Sequence, residues 1–366
     1  MAAARLGRKK RTRTPKLAEF LDQDFLPFIE SQFRESTPKT AEYYAYGVKL
    51  VLASDLGALK LDEITSQHGG GFIAHNSNLS PSTQNCGLRT LRRALNLACE
   101  WAKLERPVKI RMAKGERQRD RVVTEPEFAA YTELCRQPWR DVATLIRLEG
   151  MCPGECYELR WEHLNWNGPD ESLIRVVKGK TKARRRHLPM HPDVYSMLLG
   201  RWGKCGRPAE GWVFPAQSAS RHLEESTAKT QHADALKKLR AAHLAYERWL
   251  KTANSGVWSQ AVAAQVRLNT DFVARHADVI KDGVEKFEPY CLRHTALTRL
   301  AESGCDAFTL KQIAGHSSIT ITQRYCHPQA DAIKRAFRTI SGGHKIGHNG
   351  ETRVLLAASA EEATRS

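Results

Sequence analysis

The sequence predicts a mainly α-helical protein of two domains with one small β-hairpin or sheet. Apolar residues recur at helical spacing over most of 17–105 and again from 124 onward. A single alternating segment, Leu173–Val177, faces a return strand ending at Leu188 across a basic turn. The chain has 366 residues, 41% of them hydrophobic, which is enough for two separate cores.

Taken in order, residues 1–16 form a basic arm without hydrophobic period, expected to be disordered and able to lie along phosphates or simply to solubilise the chain. A helical domain is expected over 17–105. Leu17, Phe20, Leu21, Phe25 and Phe28 read as one apolar face, and a second periodic segment follows from about Thr40 to Ala53. The last helix of this four-helix domain is the clearest. Ser80-Pro81-Ser82 signals its start, Leu88, Leu91, Leu95 and Ala98 form its stripe, and Arg89, Arg92 and Arg93 lie off the stripe as a basic face. Residues 106–122 read as a basic linker, because Lys and Arg crowd a stretch that contains Pro107 and Gly115 and shows no helical period.

The second domain, 123–340, opens at Thr124-Glu125-Pro126-Glu127, where an N-cap, a first-turn proline and a capping-box acid coincide. Helices are expected over about 124–134 and 140–149, the second ending at Gly150, with a third beginning at Pro153. The hairpin follows. Residues 216–285 are rich in Ala, Lys and Gln at helical spacing and read as a partly inserted helical segment. Further helices are expected over about 290–303 and 307–314, the latter stopped by Gly315, then from Ser318, then after Pro328; residues 341–366 read as a disordered tail.

Charge narrows the function. Against 40 acidic residues stand 57 Lys and Arg, a net +17, and the pI is near 9.6. A polyanionic partner is the economical explanation. No apolar run approaches the roughly 20 residues needed to span a bilayer, and the basic amino terminus lacks the apolar core of an export signal. Nine scattered cysteines fit a reducing compartment better than a disulfide framework. A phosphate-cradling GxxxxGK[ST] run is absent, so ATP use is not indicated. Cys152 and Cys156 have no second pair to complete a zinc site, and no GxSxG supports serine catalysis. Neither cofactor nor metal is expected.

What remains is a set of short motifs in fixed order: Gly150-Met151-Cys152-Pro153-Gly154-Glu155 with Leu159-Arg160-Trp161; Gly179-Lys180-Thr181 before Arg186-His187-Leu188-Pro189; Leu292-Arg293-His294-Thr295; Gly315-His316-Ser317-Ser318; and Thr322-Gln323-Arg324-Tyr325. In this combination the sequence resembles the tyrosine recombinase, or phage integrase, family. Ser82-Thr83-Gln84-Asn85 and Leu91-Arg92-Arg93-Ala94-Leu95 resemble its amino-terminal half. The resemblance spans about 17–340. It implies a helical core-binding (SAM-like) domain followed by an α+β catalytic domain, acting together as a clamp on double-stranded DNA.

It also implies site-specific recombination or integration of a mobile element, in which strands are cut and rejoined through a 3'-phosphotyrosyl intermediate. The physical chemistry agrees: a tyrosine attacking phosphorus conserves the phosphodiester energy without metal or ATP. Tyr325 is the candidate nucleophile, and with a phenol pKa of about 10 it needs help losing its proton. Arg293 suits the developing charge on phosphorus, being permanently cationic and able to bind two oxygens. By resemblance His316 is a second donor and Lys180 the acid that protonates the leaving 5' oxygen. Glu155 and His294 are supporting residues, and Lys178, Lys182 and Arg184 of the hairpin join Arg89, Arg92 and Arg93 as candidate DNA contacts. Singly, Tyr325 also reads as a core aromatic, His316 as a helix cap and Lys180 as a solvated turn lysine; their joint order favours catalysis.

Two positions depart from the family pattern. Tyr290 stands at a usual His, and Cys152 at a usual Arg. The first keeps a hydroxyl able to hydrogen-bond near phosphate, whereas the second removes a cation. A noncatalytic DNA-binding protein, either a decayed recombinase or a helix-turn-helix regulator built on 310–325, is therefore the second reading, and an RNA-binding protein the third. The resemblance further implies a homo-oligomer, a tetramer on paired sites, with no membrane partner, working in the cytoplasm at the nucleoid. Loss of one preorganised donor costs on the order of 100- to 1000-fold in rate, so strand cleavage is expected to be weakened or lost while DNA binding persists. A Cys152→Arg variant should form more covalent DNA adduct than the parent; equal yields on denaturing gels would count against this.

Overall fold

In a computed structural model of the chain, the structure describes residues 14–35, 37–116, 121–177, 179, 182–252 and 256–326. The basic arm, the helix expected after Pro328 and the tail lie outside the described residues. The chain divides into two compact units, Met1–Gln118 and Arg119–Ser366.

Unit 1 is helical. α1 (Leu17–Phe20) passes through a π-helical turn (Leu21–Phe25) into α2 (Leu26–Phe33), followed by α3 (Pro38–Leu52), α4 (Ser66–His75) and α5 (Pro81–Glu100). The π turn has a reason in the spacing: Leu21, Phe25 and Ile29 repeat every four residues, slower than 3.6, and a wider turn keeps them on one face. Ile29 is therefore the fully buried residue, while Phe28, read from sequence as part of the face, packs edge-on to Trp101 at 5.5 Å. The stripe of α5 behaves as read. Leu88, Leu91, Leu95 and Ala98 are all buried, and the Ser80 hydroxyl accepts from the Thr83 amide at 3.3 Å.

The stretch read as a linker differs. Residues 104–116 run without helix along unit 1, burying Ile110, with Leu104, Val108, Met112 and Ala113 packed beside it. Val108, Ile110 and Met112 alternate with Lys109 and Arg111, a period-2 pattern that a search for helical period passes over. Asn85 clamps the segment, accepting from the Ala113 amide at 2.7 Å and donating to its carbonyl at 3.1 Å.

Unit 2 begins with α6 (Glu125–Leu134), where Thr124 and Glu127 form the expected capping box, then α7 (Trp139–Glu149) and α8 (Pro153–Tyr157). A three-stranded antiparallel sheet follows in the order β1 (Leu164–Asn165), β2 (Leu173–Val176), β3 (Arg186–Pro189). The hairpin is β2–β3; β1, two residues long, is below the length at which alternation can be read. The register pairs Ile174 with Leu188 and Val176 with Arg186, so Arg186 shares the buried face of the sheet with apolar residues.

α9 (Pro192–Lys204) precedes the long α10 (Glu225–Lys251), which buries Ala228, His232, Ala235, Leu239, Ala242 and Ala245 along one side. Small residues at this spacing let α10 run through the middle of the core, so the 216–285 stretch is integral to the packing. His232 carries its polarity inward, bonded to the Tyr131 hydroxyl at 2.6 Å and the Phe287 carbonyl at 2.7 Å. Then come α11 (Trp258–Val266), α12 (Thr270–Arg275), α13 (Ala277–Asp282), α14 (Pro289–Glu302), α15 (Ala307–Ala314) and α16 (Ile319–Gln323). α14 packs against α7, and α15 lies next to β3. Among the described residues no helix is long and apolar enough to cross a membrane.

In unit 1, α3 and α5 approach closely at Gly47: a Cβ there would sit 2.0 Å from Thr90 Oγ1 and 2.7 Å from Thr90 Cβ. Thr90 is fully buried and cannot yield. Gly47→Ala should lower the stability of the chain by about 1–3 kcal/mol, read as a lower urea midpoint at an unchanged slope.

Candidate active site

Two helices of unit 2 end in the same way. α7 stops at Gly150 and α15 at Gly315, both in the left-handed conformation at φ 63° and 66°. Each end leaves backbone carbonyls pointing out of the helix with partial negative charge. Arg293, in the second turn of α14 and 1% exposed, answers both: Nη1 donates to the Gly150 carbonyl and Nη2 to the Ala314 carbonyl. Its Nε–H is buried without a partner. One guanidinium thus fastens three segments that are distant in sequence.

A second guanidinium does similar work next to it. Arg186 forms a bidentate pair with Glu155, Nη1 to Oε1 at 3.0 Å and Nη2 to Oε2 at 2.9 Å, both groups being nearly inaccessible. Its Nε donates to the Ile313 carbonyl at 2.6 Å and its Nη1 also to the Arg184 carbonyl at 2.9 Å. The pair joins α8, the hairpin and α15. Glu155 accepts in addition from the Cys152 amide at 2.9 Å, closing the first turn of α8. Cys152 is 7% exposed, and burial raises its thiol pKa although Arg293, Arg184 and Arg186 pull the other way. The thiol is neutral and adds no charge.

His316 follows Gly315, and its Nδ1 shares a proton with Thr322 Oγ1 across 2.9 Å. Burial, reinforced by Arg293, Arg324, Arg184 and Arg186, lowers the imidazole pKa to about 4. It is neutral at pH 7. Tyr325 comes just after α16, its amide donating to the Thr322 carbonyl at 2.9 Å. Tyr325 is 4% exposed, and two imidazoles lie near its ring, His294 at 5.1 Å and His316, nearly parallel, at 6.1 Å. Burial raises its pKa, as does nearby Tyr290, while Arg324 and Arg293 act to lower it. The Arg324 guanidinium also stands 5.9 Å from the ring centre.

The structure therefore brings together Cys152, Glu155, Arg184, Tyr290, Arg293, His294, His316 and Tyr325. Lys178 and Lys180 lie outside the described residues, as does the side chain of Lys182. In unit 1, Arg89 is paired with Glu116 at 2.6 Å and Arg93 with Glu100 at 2.8 Å, which leaves Arg92 as the exposed member of that basic face. Neither nearby arginine takes the place of a cation at Cys152: Arg147 pairs with Glu125, and Arg160 with Glu162 while stacking over Trp212. Arg186, Thr322 and Arg324 were not singled out from sequence, although the inward position of Arg186 follows from alternation with Leu188 in β3. Among the described residues no cluster of His, Cys, Asp or Glu could hold a metal ion.

The arrangement is a buried phenol beside a neutral imidazole and several cations. Such a pocket suits attack on an anionic centre. Residues 240–331 match the sequence model of the phage integrase family. Among curated proteins the chain is 37% identical over 76 residues to the tyrosine recombinase XerC of Corynebacterium efficiens, covering 21% of this chain and 23% of that one. It is 39% identical over 61 residues to XerD of Corynebacterium glutamicum, covering 16% and 20%. The aligned stretches span about a quarter or less of these two relatives. Among solved structures the chain is similar to the Tn1549 transposon integrase in complex with transposon right end DNA, with a TM-score of 0.62 at 14% identity over 89% of this chain and 100% of that one. It is also similar to a lambda integrase dimer bound to a COC' core site, with a TM-score of 0.58 at 16% identity over 86% and 78%.

Glu149, the last residue of α7, is buried with its carboxylate accepting from the His191 amide at 2.7 Å, and burial pushes its pKa up to about 7. A carboxyl raised in the folded state stabilises while protonated, and that contribution is lost as pH rises through about 7. Glu149→Gln should match the parent near pH 4 and exceed it by about 3 kcal/mol above pH 8, measured by chemical unfolding across that range.

Proposed function

We propose that this chain, which has the fold of tyrosine recombinases and a segment of the phage integrase family, is a site-specific DNA recombinase or integrase working through a 3'-phosphotyrosyl intermediate. The observation that carries the reading is the convergence of Tyr325, Arg293 and His316 from separate stretches of the chain into one buried, cationic pocket. The Tyr325 oxygen attacks the scissile phosphorus, the bond to the 5' oxygen breaks, and Lys180, which lies between β2 and β3 in sequence, donates the proton that completes the 5' hydroxyl. A 5' hydroxyl then reverses the step on the same or another strand, releasing the tyrosine.

The neutral His316 has two uses set by its tautomer. A proton on Nε2 makes it a donor to a nonbridging oxygen; a proton on Nδ1, shared with Thr322, frees Nε2 to take up the phenolic proton. Arg293 meets the charge that builds on phosphorus. Double-stranded DNA is the partner, with Arg92 of unit 1 among its contacts, and a tetramer on paired sites is the assembly in which strands are exchanged. Such an enzyme acts where the DNA is, at the nucleoid in the cytoplasm.

The neutral thiol of Cys152 favours one alternative, a DNA-binding protein that has kept the fold and lost cleavage. A helix-turn-helix regulator fits less well, since α16 is five residues long and its Thr322 is bound to His316 beneath Tyr325. Covalent chemistry separates the readings. On nicked duplexes built from the DNA flanking the coding locus, the parent should become trapped in a denaturant-stable complex, and Tyr325→Phe should abolish the complex while changing DNA affinity less than about threefold, as expected when a single hydroxyl outside the phosphate contacts is removed. A trapped complex that survives in Tyr325→Phe removes Tyr325 as nucleophile, and no complex from the parent favours the noncatalytic protein.

A further inference from the structure

We propose that Arg184 is the second fixed cation on the reacting phosphate, replacing from the hairpin the positive charge that Cys152 does not supply. The inference rests on the reading of this pocket as a phosphate site. Three guanidiniums converge there, and their hydrogen bonds distinguish them. The terminal nitrogens of Arg293 hold the Gly150 and Ala314 carbonyls. All three nitrogens of Arg186 are engaged, by Glu155, Ile313 and the Arg184 carbonyl. Arg184 alone of the three has no side-chain hydrogen bond or ion pair among the described residues, although its charge reaches both Cys152 and His316.

The backbone is shaped to put it there. Where Arg184 crosses Gly179, a Cβ on that glycine would come 2.2 Å from Arg184 Cβ and 2.9 Å from its Cδ. On the other side the turn rests on Gly315, whose added Cβ would meet Arg184 Cα at 3.2 Å and the Ala183 carbonyl at 3.3 Å. Two glycines therefore admit Arg184 to a position one residue from His316. Arg184 is half-buried and, among the described residues, paired with no carboxylate, so a phosphate would supply the counter-charge it lacks. A phosphodiester has two nonbridging oxygens, and a planar guanidinium donor matches them.

The test uses the full chain and inorganic phosphate at constant ionic strength, followed by the His316 imidazole resonances, which are identified by their loss in His316→Gln. The parent should show a saturable shift, Arg184→Ala should weaken phosphate about tenfold or more, Cys152→Arg on the Arg184→Ala background should restore most of the affinity, and Arg248→Ala, on the exposed side of α10, should leave it unchanged. If Arg184→Ala does not fold, Arg184→Gln carries the same comparison. No saturable shift in the parent, or equal affinity in parent and Arg184→Ala, overturns the proposal. Adduct formation on nicked duplexes with the same variants separates it from the functional reading. Phosphate binding that depends on Arg184 without any adduct from the parent rejects the recombinase and leaves the anion site standing. An adduct rate unmoved by Arg184→Ala rejects Arg184 as a cation on the reacting phosphate.

Discussion

The carbonyls of Gly150 and Ala314 are the ends of two helices that have nothing to do with each other in sequence, and the guanidinium of Arg293 holds both. Everything in the pocket depends on that junction. Gly150 is followed by Cys152 and the first turn of α8; Ala314 is followed by Gly315 and His316. Fixing the two carbonyls fixes where each chain segment re-enters the site. A charged donor bonded to partially negative helix ends, out of water, is among the stronger single interactions available to a fold. The same group that would stabilise charge on phosphorus is therefore also the group that assembles the pocket, so structure and chemistry cannot be separated at Arg293.

Arg186 extends the same logic by one step. Its bidentate pair with Glu155 is buried, and a buried pair gains little over an apolar replacement but loses heavily if one member is removed. Its value here is placement. Because Glu155 also accepts from the Cys152 amide and Arg186 also donates to the Ile313 and Arg184 carbonyls, the pair sets the spacing between α8, the hairpin and α15. Burial then tunes the groups so placed. It keeps His316 uncharged and holds the proton on Tyr325 more firmly.

Much of this was legible in the sequence, and for definite reasons. Helix boundaries at Ser80, Thr124, Gly150 and Gly315 were readable because capping chemistry is local, depending on one or two residues in contact with their neighbours. The hairpin was readable because alternation over four residues has only one meaning. What escaped was set by partners far away in the chain. Arg89 and Arg93 look like free cations until Glu116 and Glu100 are seen beside them. Residues 104–116 look like a tether because their basic residues hide an extended apolar edge that only the groove beside α5 reveals. The displacement of Phe28 by Ile29 came from a π turn, which shifts the phase of a helix without any marker at the point of insertion.

Cys152 stands where the family resemblance implies an Arg, and the hydrogen bonds around it belong to its backbone. The structural duty of position 152 is carried by its backbone, through the amide bonded to Glu155 and the carbonyl that starts α8. The side chain is buried beside Arg293, Arg184 and Arg186, and its neutral thiol adds no charge there. A change from guanidinium to thiol at such a position removes charge from the pocket while the two arginines that organise it, 186 and 293, keep all their bonds. The turn before β3 comes up against Gly315, one residue from His316. If Arg184 supplies the cation that Cys152 does not, an anion is met from the turn before β3 while Arg293 continues to hold the helix ends.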